Sequence, residues 1–129
     1  MAIEKVREYL KKFGADGRIM EFDVSSATVE LAAVAVGTEP RRIAKTMAFS
    51  IKEKYILIVC AGDVKIDNHK YKSFFGAKAK MLTPEETACH IGHAVGGVCP
   101  FAVPDEVEIY LDESLRRFET VFPACGSSN

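Results

Sequence analysis

The segment IAKTMAFSIKEKYILIVCA, residues 43–61, forms the centre of the predicted fold. Residues 43–50 and 55–61 are two apolar runs rich in β-branched and aromatic side chains, which favours strands. The polar sequence Lys52-Glu53-Lys54 between them is short enough for a turn. We therefore expect the two runs to form an antiparallel β-hairpin.

Short helices and strands surround this hairpin without a regular βαβ alternation. Apolar residues at helical spacing, each series stopped by a glycine, predict helices over residues 3–13 and 29–36. Asp67 and Thr83 are placed to cap two more helices, and residues 38–42 predict a single helical turn. Short strands are expected at residues 17–22, 78–82, 107–111 and 120–123. This mixture predicts an α+β fold with a largely antiparallel sheet.

The composition fits one globular domain whose charges are unevenly distributed. The chain has 129 residues, 48% apolar and 27% charged, which excludes disordered, collagen-like and low-complexity proteins. The net charge is −1, but residues 1–80 carry 15 basic and 10 acidic residues, and residues 81–129 carry 2 and 8. The N-terminal part is therefore at +5 and the remainder at −6. This pattern fits an anionic ligand or an ordinary solvated surface.

No segment of the sequence resembles a targeting signal or a membrane span. Residues 1–5 begin an amphipathic helix, and the longest apolar run, residues 55–61, is far shorter than the ~20 residues of a membrane helix. The four cysteines form no CxxC pair. We therefore expect a cytoplasmic protein with reduced thiols.

Lys45 is the first candidate for a functional side chain. In a strand it shares a face with Met47 and Phe49, because successive side chains alternate between faces. A lysine on such an apolar stripe either extends into solvent from a strand end or is a partly buried ammonium in a site. The residues alone leave both interpretations open.

The glycine-rich sequence GHAVGGVCP, residues 92–100, is the second candidate. Three glycines and a proline predict a sharply turned loop, whose free amides can point at an oxyanion or a phosphate. The loop lacks both the lysine of a P-loop and the spacing of a GxGxxG motif. An ordinary turn has the same composition, so the loop by itself assigns no function.

Cysteine, histidine and acidic side chains near this loop give further alternatives. Cys89, His90, His93 and Cys99 match no common zinc-ligand spacing. Cys99 and His93 can be a thiol nucleophile and its base, although a buried cysteine and a surface histidine are the commoner case. Asp112 follows the end of a predicted strand, a frequent position for a functional carboxylate.

Seven segments of the chain form a specific combination. They are SAT (residues 26–28), EPRRIAKT (39–46), AGD (61–63), KID (65–67), PEE (84–86), GHAVGGVCPF (92–101) and YLDESL (110–115). In this order they resemble the YbaK / prolyl-tRNA-synthetase-associated editing-domain family. The resemblance implies one domain, residues 1–129, with a mixed, mainly antiparallel, barrel-like sheet surrounded by helices. The sequence departs from the family at Cys99, where serine or threonine is usual, and we expect it to lack the family's usual C-terminal strand and helix.

The resemblance also implies a function, which is hydrolysis of the ester joining a wrong amino acid to the 3′ end of a tRNA. The expected substrate is proline tRNA carrying a small residue such as cysteine or alanine. In the family the lysine matching Lys45 is the key active-site residue, and the loop glycines supply backbone groups to the carbonyl and terminal ribose. These glycines match Gly92, Gly96 and Gly97. Further positions expected to bind or border the substrate are Ser26, Thr28, Thr46, Met47, His93 and Asp112.

The implied chemistry is substrate-assisted, because the ribose hydroxyl beside the ester can activate water without a protein nucleophile. Loop amides would stabilise the oxyanion, and Lys45 would orient the terminal nucleotide, with no metal or cofactor. Expected partners are the acceptor end of aminoacyl-tRNA and prolyl-tRNA synthetase or another translation factor, but no membrane, with the chain a monomer or weak dimer. The alternatives are a non-catalytic module that binds a tRNA end or a synthetase, and a thiol enzyme dependent on Cys99.

Overall fold

The computed structural model describes residues 2–129. Within that range the helices are α1 (Ala2–Lys11), α2 (Val29–Val36), α3 (Asn68–Phe75) and α4 (Pro84–His90). The strands are β1 (Ile43–Ile51), β2 (Lys54–Ala61), β3 (Glu108–Leu111) and β4 (Phe122–Pro123). Short 3-10 helices lie at Asp16–Arg18, Pro40–Arg42 and Glu113–Arg117. None of the helices described is long and apolar enough to cross a membrane.

The strands form one curled, half-barrel sheet in the order β3-β2-β1-β4. β1 and β2 are the predicted antiparallel hairpin, with Ala44 opposite Ala61 at one end and Ile51 opposite Lys54 at the other. β3 joins β2 in parallel and β4 joins β1 in parallel, because the chain crosses over before each outer strand. The expected α+β class, with a mixed barrel-like sheet and helices around it, is confirmed.

Local sequence signals account for the helix ends. Thr83 and Glu86 form the capping box of α4, and Asp67 accepts the backbone N–H groups of His69 and Lys70 at the start of α3. Gly37 closes α2 in the left-handed conformation with φ 83°, which disfavours any residue with a Cβ. The predicted helical turn is also present, at Pro40–Arg42.

Two predicted strands differ in the structure. Residues 17–22 contain the end of a 3-10 helix and then irregular backbone, because Phe22 hydrogen-bonds only to Asn129 rather than to a neighbouring strand. Residues 78–82 reach β1 through a single bridge between Met81 and Phe49. The propensities of both segments favour a strand, but neither has a partner along its length.

Apolar side chains pack on both faces of the hairpin. On one face Ala48 and Leu57 pack with Leu82, Ile91 and Val107. The other face has its own cluster of buried residues, Phe49, Ile56, Ile58 and Tyr71. Apolar side chains therefore cover both faces of the hairpin. A ligand-binding site can form only where these clusters leave part of the hairpin uncovered.

Candidate functional site

A cavity of about 250 Å³ lies between β1, β4, α2 and the loop that precedes α2. It brings together six of the predicted site residues, namely Ser26, Thr28, Lys45, Thr46, Met47 and Gly96. These residues come from three separate parts of the chain. The cavity is therefore the candidate functional site.

The cavity exists because one edge of β1 is left unpaired. On the side away from β2, β4 pairs only with Ile43 and Ala44. Further along, Ala48 accepts the N–H of Leu82 at 3.1 Å, which closes the edge again. Between these points residues 45–47 have no neighbouring strand on that side in the part of the chain described. Lys45, Thr46 and Met47 line the cavity although their side chains alternate between faces, because the cavity opens onto the strand edge.

The Lys45 side chain is half-buried, and no acidic side chain in the described part of the chain forms an ion pair with its ammonium group. Among residues 2–129 its ammonium makes no hydrogen bond and no ion pair. Lys54 of the same hairpin, by contrast, lies 3.6 Å from the carboxylate of Glu108. A half-buried cation without a protein anion is suited to an anionic or strongly polar ligand.

Thr46 contributes a second unsatisfied group. Its Oγ1 is buried and has no hydrogen-bond partner among the residues described. A buried hydroxyl without a partner costs free energy, about 1–3 kcal/mol, unless a ligand or water supplies the bond. The hydroxyl can donate to or accept from a polar group inside the cavity.

The loop of residues 26–28 is fixed in position by its backbone and side chains. Ser26 donates its N–H to the carbonyl of Ser128 at 2.6 Å, and the Thr28 Oγ1 accepts the N–H of Leu31 at 3.1 Å as the N-cap of α2. Thr28 therefore positions α2 as well as lining the cavity. The remaining wall is apolar and was not predicted from the sequence. It includes Val29, Ala32, Val36, Leu82 and Phe122.

The three glycines of the loop have different environments. Gly92 donates its N–H to Thr87 at 3.2 Å and Gly97 donates its N–H to Ala94 at 3.0 Å, and neither lines the cavity. Gly96 lines it, has a φ of +94°, and its N–H makes no hydrogen bond within residues 2–129. Gly96 is therefore the loop glycine with an amide available to a ligand.

Gly97 has a packing role that the sequence did not reveal. A Cβ added there would lie 2.6 Å from the backbone N of Ser127 and 2.7 Å from the carbonyl carbon of Gly126. The Gly97 carbonyl also accepts the N–H of Gly126 at 2.9 Å. The second glycine of the pair lets the loop and residues 126–127 approach closely.

His93 and Cys99 form a buried pair outside the cavity. His93 is 1% exposed and its Nε2 lies 2.8 Å from the carbonyl of Phe101, so this nitrogen carries the proton. Burial lowers the pKa of His93 and raises the pKa of Cys99 to about 12. A thiol nucleophile needs access and a lowered pKa. This arrangement gives neither, so the pair packs the loop against α1 rather than supplying a nucleophile.

Asp112 lies on a different part of the sheet from the cavity. It follows β3, donates its N–H to Val59 at 2.8 Å, and its carboxylate accepts the N–H of Ser114 at 2.9 Å. Its charge nevertheless reaches β2, because it raises the pKa of Cys60, which lies opposite Lys45. Asp112 is thus one strand removed from the Lys45 side chain rather than beside the glycine loop.

The remaining metal-ligating side chains do not converge. Cys89 is exposed and His90 stacks on Tyr55 with ring centroids 4.3 Å apart. Across residues 2–129 no group of three or more histidine, cysteine, aspartate or glutamate side chains is arranged to hold a metal ion.

Comparison with known proteins identifies related sequences. The model of the aminoacyl-tRNA editing domain matches residues 23–129. YwhH of Bacillus subtilis (strain 168) is 49% identical over 130 residues, covering 100% of this chain and 83% of YwhH. A proline–tRNA ligase of Geobacillus sp. (strain WCH70) is 28% identical over 102 residues, which are 78% of this chain but 18% of the ligase.

Solved structures share the fold. A crystal structure described as that of a candidate trans-editing enzyme for prolyl-tRNA synthetase has a TM-score of 0.88 and 30% sequence identity. The match covers 99% of this chain and 82% of that one. Sequence and fold therefore point to the same group of relatives.

Proposed function

Because the chain belongs to the aminoacyl-tRNA editing domain family, we propose that it hydrolyses the ester bond of mischarged aminoacyl-tRNA, acting in trans. One observation carries the proposal. The unneutralised, half-buried Lys45 lines a small cavity together with Gly96, whose N–H is available to a ligand. Relatedness to a region of proline–tRNA ligase supports proline tRNA as the substrate.

The size and lining of the cavity favour a small aminoacyl group. Its volume of about 250 Å³ is below the ~300–1,000 Å³ of sites for drug-sized ligands. The walls from α2 and β4 are aliphatic or aromatic, with Val36 and Phe122 among them. This apolar lining suits a small side chain such as that of an alanine or cysteine ester.

The chemistry needs no protein nucleophile. Water, activated by the ribose hydroxyl beside the ester, attacks the carbonyl carbon, and the carbonyl oxygen becomes an oxyanion. In the proposed mechanism the N–H of Gly96 stabilises this charge, an effect worth about 3 kcal/mol per donor. The ester C–O bond then breaks, the ribose oxygen takes the proton from water, and the free amino acid and tRNA leave.

Lys45 and Thr46 would hold the substrate in place. The Lys45 ammonium binds the terminal ribose or phosphate, and the Thr46 hydroxyl gains the hydrogen bond that the protein does not supply. Misplacing the ester by about 1 Å costs roughly a hundredfold in rate. Positioning is therefore the main contribution of these two side chains.

The test is deacylation of a panel of tRNAs mischarged with cysteine, alanine, serine, threonine or 2-aminobutyrate. We expect wild type to release at least one amino acid and Lys45→Ala to lose roughly a hundredfold in rate. Lys54→Ala is the matched control, because Lys54 lies on the same hairpin with its side chain 71% exposed. If wild type binds these tRNAs and leaves every ester intact, the protein is a binding module and the proposal is wrong.

A further inference from the structure

A second and larger cavity, of about 830 Å³, lies between α3, β2, β3 and the 3-10 helix Glu113–Arg117. We call it the aromatic cavity, after the four rings that line it. They are Tyr71, Phe74, Phe75 and Tyr110. None of its lining residues lines the cavity at Lys45.

The aromatic cavity adjoins the candidate active site through the hairpin. Its floor includes Ile58 and Cys60 of β2. In the register of the hairpin these two residues lie opposite Met47 and Lys45, which line the first cavity. Side chains opposite each other on neighbouring strands are about 5 Å apart. A ligand that contacts Lys45 is therefore only about the distance between two neighbouring strands from the aromatic cavity.

Phe74 presents an exposed ring at the mouth of this cavity. It is 72% exposed, although it belongs to a cluster in which its ring packs edge-on against Phe75 at 4.8 Å and Tyr110 at 5.9 Å. These edge contacts fix the orientation of the ring and leave much of its surface in solvent. Fixed, exposed aromatic rings are the surfaces on which unpaired nucleobases stack.

One of the rings that line the cavity also has a hydroxyl without a partner in residues 2–129. Tyr71 is 4% exposed, and its hydroxyl is buried without a hydrogen bond among the residues described. Burial alone raises its pKa, so the group stays a neutral phenol that can donate and accept.

Basic side chains, unpaired within the described residues, lie at the rim of the aromatic cavity, beside the carboxylates of Asp67, Asp112 and Glu113. Lys65, Lys70 and Arg116 line it and make no ion pair within residues 2–129. Two of its carboxylates, Asp67 and Asp112, accept backbone N–H groups at helix starts, which partly satisfies their charge. Arg117 also lines the cavity, where it pairs with Asp63, and with Arg41 and Arg42 it surrounds the Phe118 ring at 4.9–5.9 Å. Phosphates are the complementary groups for this rim.

We propose that the aromatic cavity binds the unpaired nucleotides at the 3′ end of the tRNA, with a base stacked on Phe74 and phosphates held by Lys65, Lys70 and Arg116. The inference rests on the proposed function, because it takes the substrate to be an aminoacyl-tRNA. The amino acid and the nucleotides then occupy neighbouring cavities beside the β1–β2 hairpin, with Lys45 between them.

The test uses uncharged RNA, so that it does not depend on catalysis. Fluorescence anisotropy compares a short RNA hairpin ending in an unpaired 3′ ACCA tail with the same hairpin ending bluntly. We expect wild type to prefer the tailed RNA, and Phe74→Ala to lose about tenfold in affinity for that RNA alone. Phe74→Trp should restore binding, because a ring that stacks is retained. Phe13→Ala, which removes another ring that is 67% exposed, is the control.

The outcomes separate this inference from the proposed function. Equal binding of tailed and blunt RNA by wild type, or unchanged binding by Phe74→Ala, overturns the role of the aromatic cavity and favours a protein partner there. Deacylation by wild type is measured separately on the mischarged panel. A protein that binds the tail through Phe74 but hydrolyses no ester refutes the deacylase and leaves the binding site intact.

Discussion

Lys45 lies directly opposite Cys60 on the β1–β2 hairpin, and its positive charge lowers the pKa of that thiol. Burial acts more strongly in the other direction, so the pKa of Cys60 is raised overall. Asp112 adds to the increase from the β3 side. Cys60 is 0% exposed, and the pKa of its thiol therefore reports the charges around the candidate site.

Lys45→Gln should raise the pKa of Cys60 further, and Asp112→Asn should lower it, because each change removes one charge that acts on the thiol. The ¹³Cβ chemical shift of Cys60 against pH measures this. Asparagine also caps helices well, so Asp112→Asn keeps the backbone contact at Ser114. Parallel shifts in the two variants would contradict the placement of Lys45 and Asp112 on either side of Cys60.

Thr46→Val should leave folding stability unchanged or raise it slightly, since the Oγ1 that it removes has no partner in the protein. Deacylation should fall by about tenfold if the hydroxyl binds substrate. Thr28→Val tests the opposite case, because it removes the N-cap of α2 and should cost about 1 kcal/mol of stability. Urea unfolding and single-turnover deacylation of both variants check the two effects; a large stability loss in Thr46→Val would refute the prediction.

Gly97→Ala should destabilise the protein by about 1–3 kcal/mol, because the new methyl group would overlap the backbone of residues 126–127. Gly17→Ala is the control, since nothing lies within 4 Å of a Cβ at that position. Thermal or urea unfolding measures both. Equal stabilities for the two variants would show that residues 126–127 do not pack on the loop as described.

Stability should fall as the pH is lowered through the ordinary pKa of histidine, 6.5, because burial lowers the pKa of His93 in the folded protein. The unfolded chain then takes up a proton that the folded protein resists, so the free energy of unfolding decreases from about pH 7 to about pH 5. His93→Gln should flatten this part of the profile. The exposed His69 is the control: His69→Gln should leave the slope as it is in wild type.

Local sequence signals predicted much of the fold. The β1–β2 hairpin, the capping box at Thr83 and the glycine stop at Gly37 each depend on neighbouring residues, so one sequence suffices to find them. Residues 17–22 show the limit, because a strand also needs a partner that local pattern does not specify. The parallel pairing of β3 and β4 likewise depends on how the chain crosses the sheet.

The candidate site was predictable in its elements but not in its arrangement. Lys45 was singled out by its place on an apolar strand, and the family resemblance added the loop glycines. Which glycine offers a free amide depends on hydrogen bonds to Thr87 and Ala94, which no motif encodes. The positions of Asp112 and of the Phe74 ring relative to the two cavities depend on the sheet order and on the packing of α3. Both are tertiary features that local sequence does not specify.

The two cavities beside the β1–β2 hairpin have no lining residue in common. Substitutions in α2 or β4 can reshape the cavity at Lys45 without altering the lining of the aromatic cavity. Substitutions in α3 or β3 can do the reverse. Under the two proposals, related proteins can differ in the amino acid that they hydrolyse while keeping the same nucleic-acid binding, or the reverse. Because the two cavities can change independently, copies of a small domain can diverge in specificity through a few substitutions in either one.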